Sequence, residues 1–142
     1  MSLNVKGYTT SRNFSGFQIP IPLQSQAIRR YCDERGFVFN HHVVENITPN
    51  SFLVLERVIE EAGLHRGIAM CSIGMLPNNP QYRRSLLTRC ATSGTKVHFL
   101  FEQFVLASEF DIEPLNELLQ LTRLLARKSS RIRDLQLALT VK

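Results

Sequence analysis

The sequence predicts an α/β chain with a mainly parallel sheet of four to five strands, flanking helices and a long helix at its C-terminal end. Three observations predict it. Apolar runs alternate with amphipathic helical patterns in the order β-α-β-α-β-α-β, as right-handed parallel crossovers require. The run GIAMCSI at 67–73 is almost uniformly apolar, as befits a central strand buried on both faces. From Pro114 onward the leucines recur at helical spacing.

The first strand is LNVKGYT, residues 3–9. A helix over 22–35 follows, with Leu23, Ala27, Ile28, Tyr31 and Cys32 on one face and Arg29, Arg30, Asp33 and Glu34 on the other. Gly36 stops it. GFVFN at 36–40 is the second strand, extended by His42–Val44. In 50–62, Phe52, Leu55, Val58, Ile59 and Ala62 form a buried stripe that Gly63 ends. After the third strand, Asn79 caps a helix over 80–93, Pro80 takes its first position, and Gly94 terminates it. Tyr82, Leu86, Leu87, Cys90 and Ala91 face inward. KVHFLFE at 96–102 is the fourth strand and FVL at 104–106 a short fifth.

The last helix spans Pro114 to Leu139, with a bend at Ser129-Ser130. Leu115, Leu118, Leu119, Thr122 and Leu125 make one stripe, and Leu121 and Leu124 widen it beyond what one side of a small sheet needs. Ile132, Leu135 and Leu139 continue it at coiled-coil-like spacing. The division expected is an α/β domain over 1–110 and a dimerisation helix over 111–142, giving a homodimer or homotetramer.

A chain of 142 residues suits one such core, and 44% apolar residues argue against disorder. The net charge of +5 suits an anionic partner. Cys32, Cys71 and Cys90 show no C-x-x-C spacing, so neither a zinc site nor a redox motif is expected. An odd cysteine count without a secretory h-region points to reduced thiols in a cytoplasmic protein. No apolar run approaches membrane-spanning length.

In parallel sheets ligands bind beyond the carboxyl ends of strands. Here those segments are Thr10–Gln18, Glu45–Asn50, Ser72–Asn79 and Glu102–Gln103. Ser11-Arg12, just past the first strand, can be read as a nucleophile, an anion cradle or a turn. A hydroxyl needs a base or strong electrostatic activation to attack, and no spacing forces one. A guanidinium can hold an oxyanion bidentately. Ser11, Arg12, Asn13, Gln18, Asn78 and Glu102 are therefore the candidate ligand-binding residues, and Ser11, His42 and Glu45 the candidates for acid–base work. His41 and His42 alternate in an extended chain, so their imidazoles point to opposite faces, which argues against shared metal ligation. His98 alternates with apolar neighbours in a strand, where a structural role is the ordinary expectation. No cofactor is expected. Two basic groups stand out: Arg83, Arg84 and Arg89 on one helix, and Arg123, Arg127, Lys128, Arg131 and Arg133 on the last. The second could follow a phosphate backbone.

The strand ending in Tyr8 and Ser11, the stretch LQSQAIRRYCDERGF, the run LERVIEEAGLHRGIAMCSIGML and the long final helix resemble the catalytic domain of small serine recombinases, the resolvases and invertases. The likeness covers roughly residues 5–139 and implies a resolvase-like, flavodoxin-like three-layer fold. In that family the serine after the first strand attacks DNA, and arginines stabilise the phosphoryl transition state. The family's Asp-Arg-Leu-x-Arg stretch aligns with Gly74-Met75-Leu76-Pro77-Asn78, so its aspartate and both arginines are replaced. Ser11 comes three residues after Tyr8, where the family has four, and Arg12 follows the serine instead of preceding it. Losing such donors should abolish DNA cleavage, and no helix-turn-helix module appears before Lys142.

A second resemblance is to the sporadic carbohydrate cluster proteins of bacterial surface-polysaccharide gene clusters. It rests on Gly7-Tyr8, Ser11-Arg12-Asn13-Phe14, Pro22 through Gln26, Ile28-Arg29, Tyr31-Cys32, Leu55-Glu56 and Met75-Leu76-Pro77-Asn78. It implies a role in lipopolysaccharide or polysaccharide biosynthesis, with a nucleotide-sugar or sugar phosphate as the small anionic ligand. The alternatives are a serine recombinase domain acting on DNA and a non-enzymatic dimeric scaffold.

Overall fold

The computed structural model describes residues 3–14, 18–45, 51–61 and 67–140. Five strands form one sheet: β1 (Asn4–Thr10), β2 (Val38–Glu45), β3 (Gly67–Met70), β4 (Lys96–Phe99) and β5 (Phe104–Leu106). Their order is β2-β1-β3-β4-β5. The first four are mutually parallel, and β5 pairs antiparallel with β4. Four helices join or flank them: α1 (Ile21–Arg35), α2 (Leu53–Glu60), α3 (Pro80–Ser93) and α4 (Ile112–Thr140).

The order fixes the layers. From β1 the chain winds outward to β2 and then back past β1 to β3. Right-handed crossovers in opposite directions put their helices on opposite faces. Accordingly Ile28 and Cys32 of α1 pack with Val5 and Ala69 on one face. On the other face Leu55 of α2, Leu86 and Leu87 of α3 and Leu115 of α4 pack around Tyr8, Ile68, Met70 and Phe99. The reversal leaves a crevice between the carboxyl ends of β1 and β3, the position that binds ligands in doubly wound sheets.

Local chemistry agrees with these elements. The Asn79 side chain accepts from the Tyr82 amide and Pro80 opens α3. Gly94 ends α3 at φ +77°, where a side chain would be strained. Gly7 lies at the irregular register between β1 and β2, and a Cβ there would come within 2.9 Å of Phe39 Cε2.

Two strands are shorter than their apolar runs. β3 pairs only to Met70, after which Ile73–Met75 form a 3-10 turn whose Gly74 amide is capped by Ser72. Ile73, Met75 and Leu76 stay buried, so the run reports burial and not strand. β4 stops at Phe99 because the chain turns through 100–103 into β5. α2 begins at Leu53, three residues after the expected start, and Gly63, its expected stop, lies outside the described residues.

α4 is one continuous helix with two environments. Ile112, Leu115 and Leu119 are buried in the main core, each such burial stabilising the fold by roughly 2 kcal/mol. Leu121, Leu124, Leu125 and Leu137 are more than half exposed. The side chains of Ile132, Leu135 and Leu139 lie outside the description. No helix of the described residues is long and apolar enough to cross a membrane.

Candidate anion site at the end of the sheet

The end of β1 is pinned from below. Gln24, fully buried on α1, uses its amide to accept from the Thr10 amide at 3.2 Å and to donate to the Thr10 carbonyl at 2.8 Å and the Ile19 carbonyl at 2.7 Å. One side chain thus satisfies three backbone groups that the sheet no longer reaches. Beyond this clamp, Ser11 and Arg12 diverge.

Ser11 is half-buried. Its hydroxyl makes a long 3.5 Å contact to the Glu45 carbonyl, and it lines an open groove of about 460 Å³ with Gln18 and the Ile19–Pro22 segment. Arg12 goes to a different cavity. Its Nη1 donates to the Ser51 carbonyl at 2.8 Å, its Nε to Thr10 Oγ1 at 3.3 Å, and its guanidinium lies 4.1 Å from the Phe52 ring centroid. Three fixed contacts on a long side chain pre-organise the charge.

The cavity under Arg12 occupies the β1/β3 crevice, with a volume of about 280 Å³. Thr10, Asn13 and Phe14 reach it from the end of β1, Gly74, Met75, Leu76 and Asn78 from the end of β3, and Arg123 from α4. Arg123 Nη2 donates to Asn78 Oδ1 at 2.6 Å. Among the described residues no carboxylate lines the cavity, and neither Arg12 nor Arg123 has an ion-pair partner. The arrangement therefore presents two guanidiniums, amides and a hydroxyl to a small space. It can hold an oxyanion.

The other candidates are placed elsewhere. Glu45 is buried beside Arg12 but faces inward. Its Oε1 accepts from the Tyr8 hydroxyl at 2.9 Å and the Leu55 amide at 3.2 Å, and its Oε2 from the Val54 amide at 3.2 Å. It supplies the N-terminal acceptor that α2 lacks at Phe52. Burial, with the carboxylate beside it, pushes the Tyr8 phenol far above its ordinary range, and Arg12 opposes that shift. His42 lies further back on β2, opposite Gly7, with Nδ1 3.1 Å from Ser25 Oγ on α1. Glu102 accepts from Ser72 Oγ at 2.8 Å and the Ile73 amide at 3.1 Å, bracing the turn after β3. Arg12, Asn13 and Asn78 thus share one cavity, Ser11 and Gln18 share another, and His42, Glu45 and Glu102 line neither. Ser15, Gly16 and the 46–50 segment lie outside the described residues.

Arg123, which the sequence placed in a basic group on the last helix that could follow a phosphate backbone, lines this cavity although it was not among the candidate ligand-binding residues. A signal was present: it follows Leu115 and Leu119 at helical spacing, so a cation continues the buried face of α4.

No protein-family model matches the chain, and no curated protein does either. Solved structures do. The N-terminal catalytic domain of TP901-1 integrase superposes with a TM-score of 0.62 at 15% sequence identity, covering 84% of this chain and 98% of that domain. At that identity the likeness establishes the fold. The chain has a resolvase-like α/β fold, a mostly parallel sheet with flanking helices. The comparison supports the recombinase side of the sequence resemblance and lends nothing to its carbohydrate side.

Proposed function

We propose that the chain is a recombinase-type domain that engages DNA, holding a backbone phosphate between Arg12 and Arg123 in the β1/β3 crevice. The observation that carries the reading is the convergence of those two guanidiniums on one cavity, with neither an ion-pair partner nor a lining carboxylate among the described residues. The cavity, about 280 Å³ in volume, has room for one phosphate of a polymer lying across the surface. Arg127, one turn beyond Arg123, and its neighbour Lys128 are exposed and extend the cationic face along α4, in reach of an extended polyanion. The recombinase-like fold supports the same choice.

Binding and cleavage separate in this reading. Ser11 is the available hydroxyl, but its Oγ opens on the neighbouring groove and, among the described residues, contacts no base or cation. Activation of a serine needs one or the other. Arg12 stands where the family's serine would be counted from Tyr8. We therefore expect phosphate-backbone binding without strand scission at Ser11. The exposed leucines 121, 124 and 125 of α4 support self-association of the domain on DNA.

Fluorescence anisotropy with a labelled duplex tests this. Affinity should fall steeply between about 50 and 200 mM salt. Arg12→Ala and Arg123→Ala should each weaken binding and shallow the salt slope by about one unit. Stabilisation by nucleotide-sugars with no response to DNA would instead restore the carbohydrate reading. A covalent DNA adduct lost in Ser11→Ala would refute the separation of binding from cleavage.

A further inference from the structure

Arg83 projects from the first turn of α3 into the protein, and only 5% of it remains exposed. Its Nη1 donates to the carbonyls of Pro77 at 3.0 Å and Asn78 at 3.2 Å, and its Nε to Asn116 Oδ1 at 3.0 Å. All three acceptors are neutral. Among the described residues no carboxylate pairs with it. Taking a guanidinium out of water without a counter-ion is expensive, and proteins ordinarily place a carboxylate beside one. Arg84, next along the same helix, shows the ordinary solution: it is exposed and paired with Glu113 at 2.6 Å.

The position of Arg83 explains the exception. Asn78 accepts from two guanidiniums, with its backbone carbonyl taken by Arg83 and its Oδ1 by Arg123. Arg83 therefore sits directly behind the wall of the anion cavity, with Arg123 on the cavity side. Burial and the Arg123 charge both push the Arg83 guanidinium below its usual range, as expected for like charges held close together.

We propose that Arg83 is a positioning residue of this anion site: it fixes the Pro77–Asn78 wall that holds Arg123, and its uncompensated charge is balanced by a phosphate group bound between Arg12 and Arg123. The proposal rests on the phosphate reading of the cavity and adds a residue that never touches the ligand. A desolvated cation behind the wall acts through a poorly screened medium, so its field reaches the bound anion.

Asn116→Asp separates charge from brace. It is isosteric, keeps the acceptor at Arg83 Nε, and supplies the missing counter-ion. Titration of the full chain with inorganic phosphate by calorimetry, alongside thermal unfolding, reads both effects. Asn116→Asp should unfold at the same or a higher temperature yet bind phosphate about fivefold more weakly. Arg83→Met, titrated well below its melting temperature, should lose a similar factor. Unchanged phosphate affinity in either folded variant overturns the proposal and leaves Arg83 a structural brace. Failure of the wild-type chain to bind phosphate overturns the reading beneath it instead.

Discussion

Glu45 offers a decision between chemistry and architecture. Its carboxylate, 1% exposed, receives the Tyr8 hydroxyl from β1 and the Val54 and Leu55 amides from α2. It therefore ties three elements at one point beneath Arg12. In Glu45→Gln the side-chain shape is kept, but one oxygen becomes an NH₂ group facing donors. At least one charge-assisted hydrogen bond is lost and one buried donor is left unsatisfied, each worth about 1–3 kcal/mol. The expected destabilisation is about 3 kcal/mol, a large share of the 5–15 kcal/mol typical of a domain. Tyr8→Phe removes one of the three bonds and should lose about 1.5 kcal/mol. The two changes share a contact, so the double variant should be less destabilised than the sum, with a coupling of about 1 kcal/mol. Urea unfolding at pH 7 of the four proteins measures all of this. A Glu45→Gln protein within about 0.5 kcal/mol of the parent would refute the argument and reopen Glu45 as an acid–base group.

Two further predictions concern positions away from the cavity. His98 is buried with Nδ1 2.8 Å from the Tyr31 hydroxyl and Nε2 without a hydrogen-bond partner among the described residues; burial, then the Lys96 and Arg35 charges, depresses its pKa to about 4. The unfolded chain takes up this proton near the ordinary histidine value of 6.5 and the folded chain only near 4. Stability from this group is thus complete above pH 6.5, falls as pH drops, and levels off below 4, a loss of about 3 kcal/mol. His98→Leu should flatten that slope in urea titrations across the window, and an unchanged slope assigns the acid sensitivity elsewhere. Gln103, in the turn between β4 and β5, has φ 53°; Gln103→Gly should raise stability by up to about 1 kcal/mol, and a lower melting temperature would show that its side chain contributes more than the strain removes.

Much of the fold was legible in the sequence because it depends on local chemistry. α3 runs over the residues that Asn79, Pro80 and Gly94 delimit, since a cap, a fixed φ and a left-handed stop act within a few positions. The sheet, its parallel sense and the crevice between β1 and β3 follow from alternation and crossover handedness. The strand ends were less legible, because residues 73–76 are as apolar in a buried 3-10 turn as in a strand. Hydrophobicity records burial and says little about conformation once burial is complete.

The sequence by itself determined which polar groups stand at the end of β1: a hydroxyl, a guanidinium and an amide at 11–13. The tertiary structure alone decided which of them meet. Strand alternation stops where the strand stops, so nothing local assigns Ser11 to one cavity and Arg12 to another. Arg123 lies 111 positions from Arg12, and only the docking of α4 on the sheet brings the two charges to one space. Local propensities act over a few residues, while the electrostatics of a site is set by distance through space.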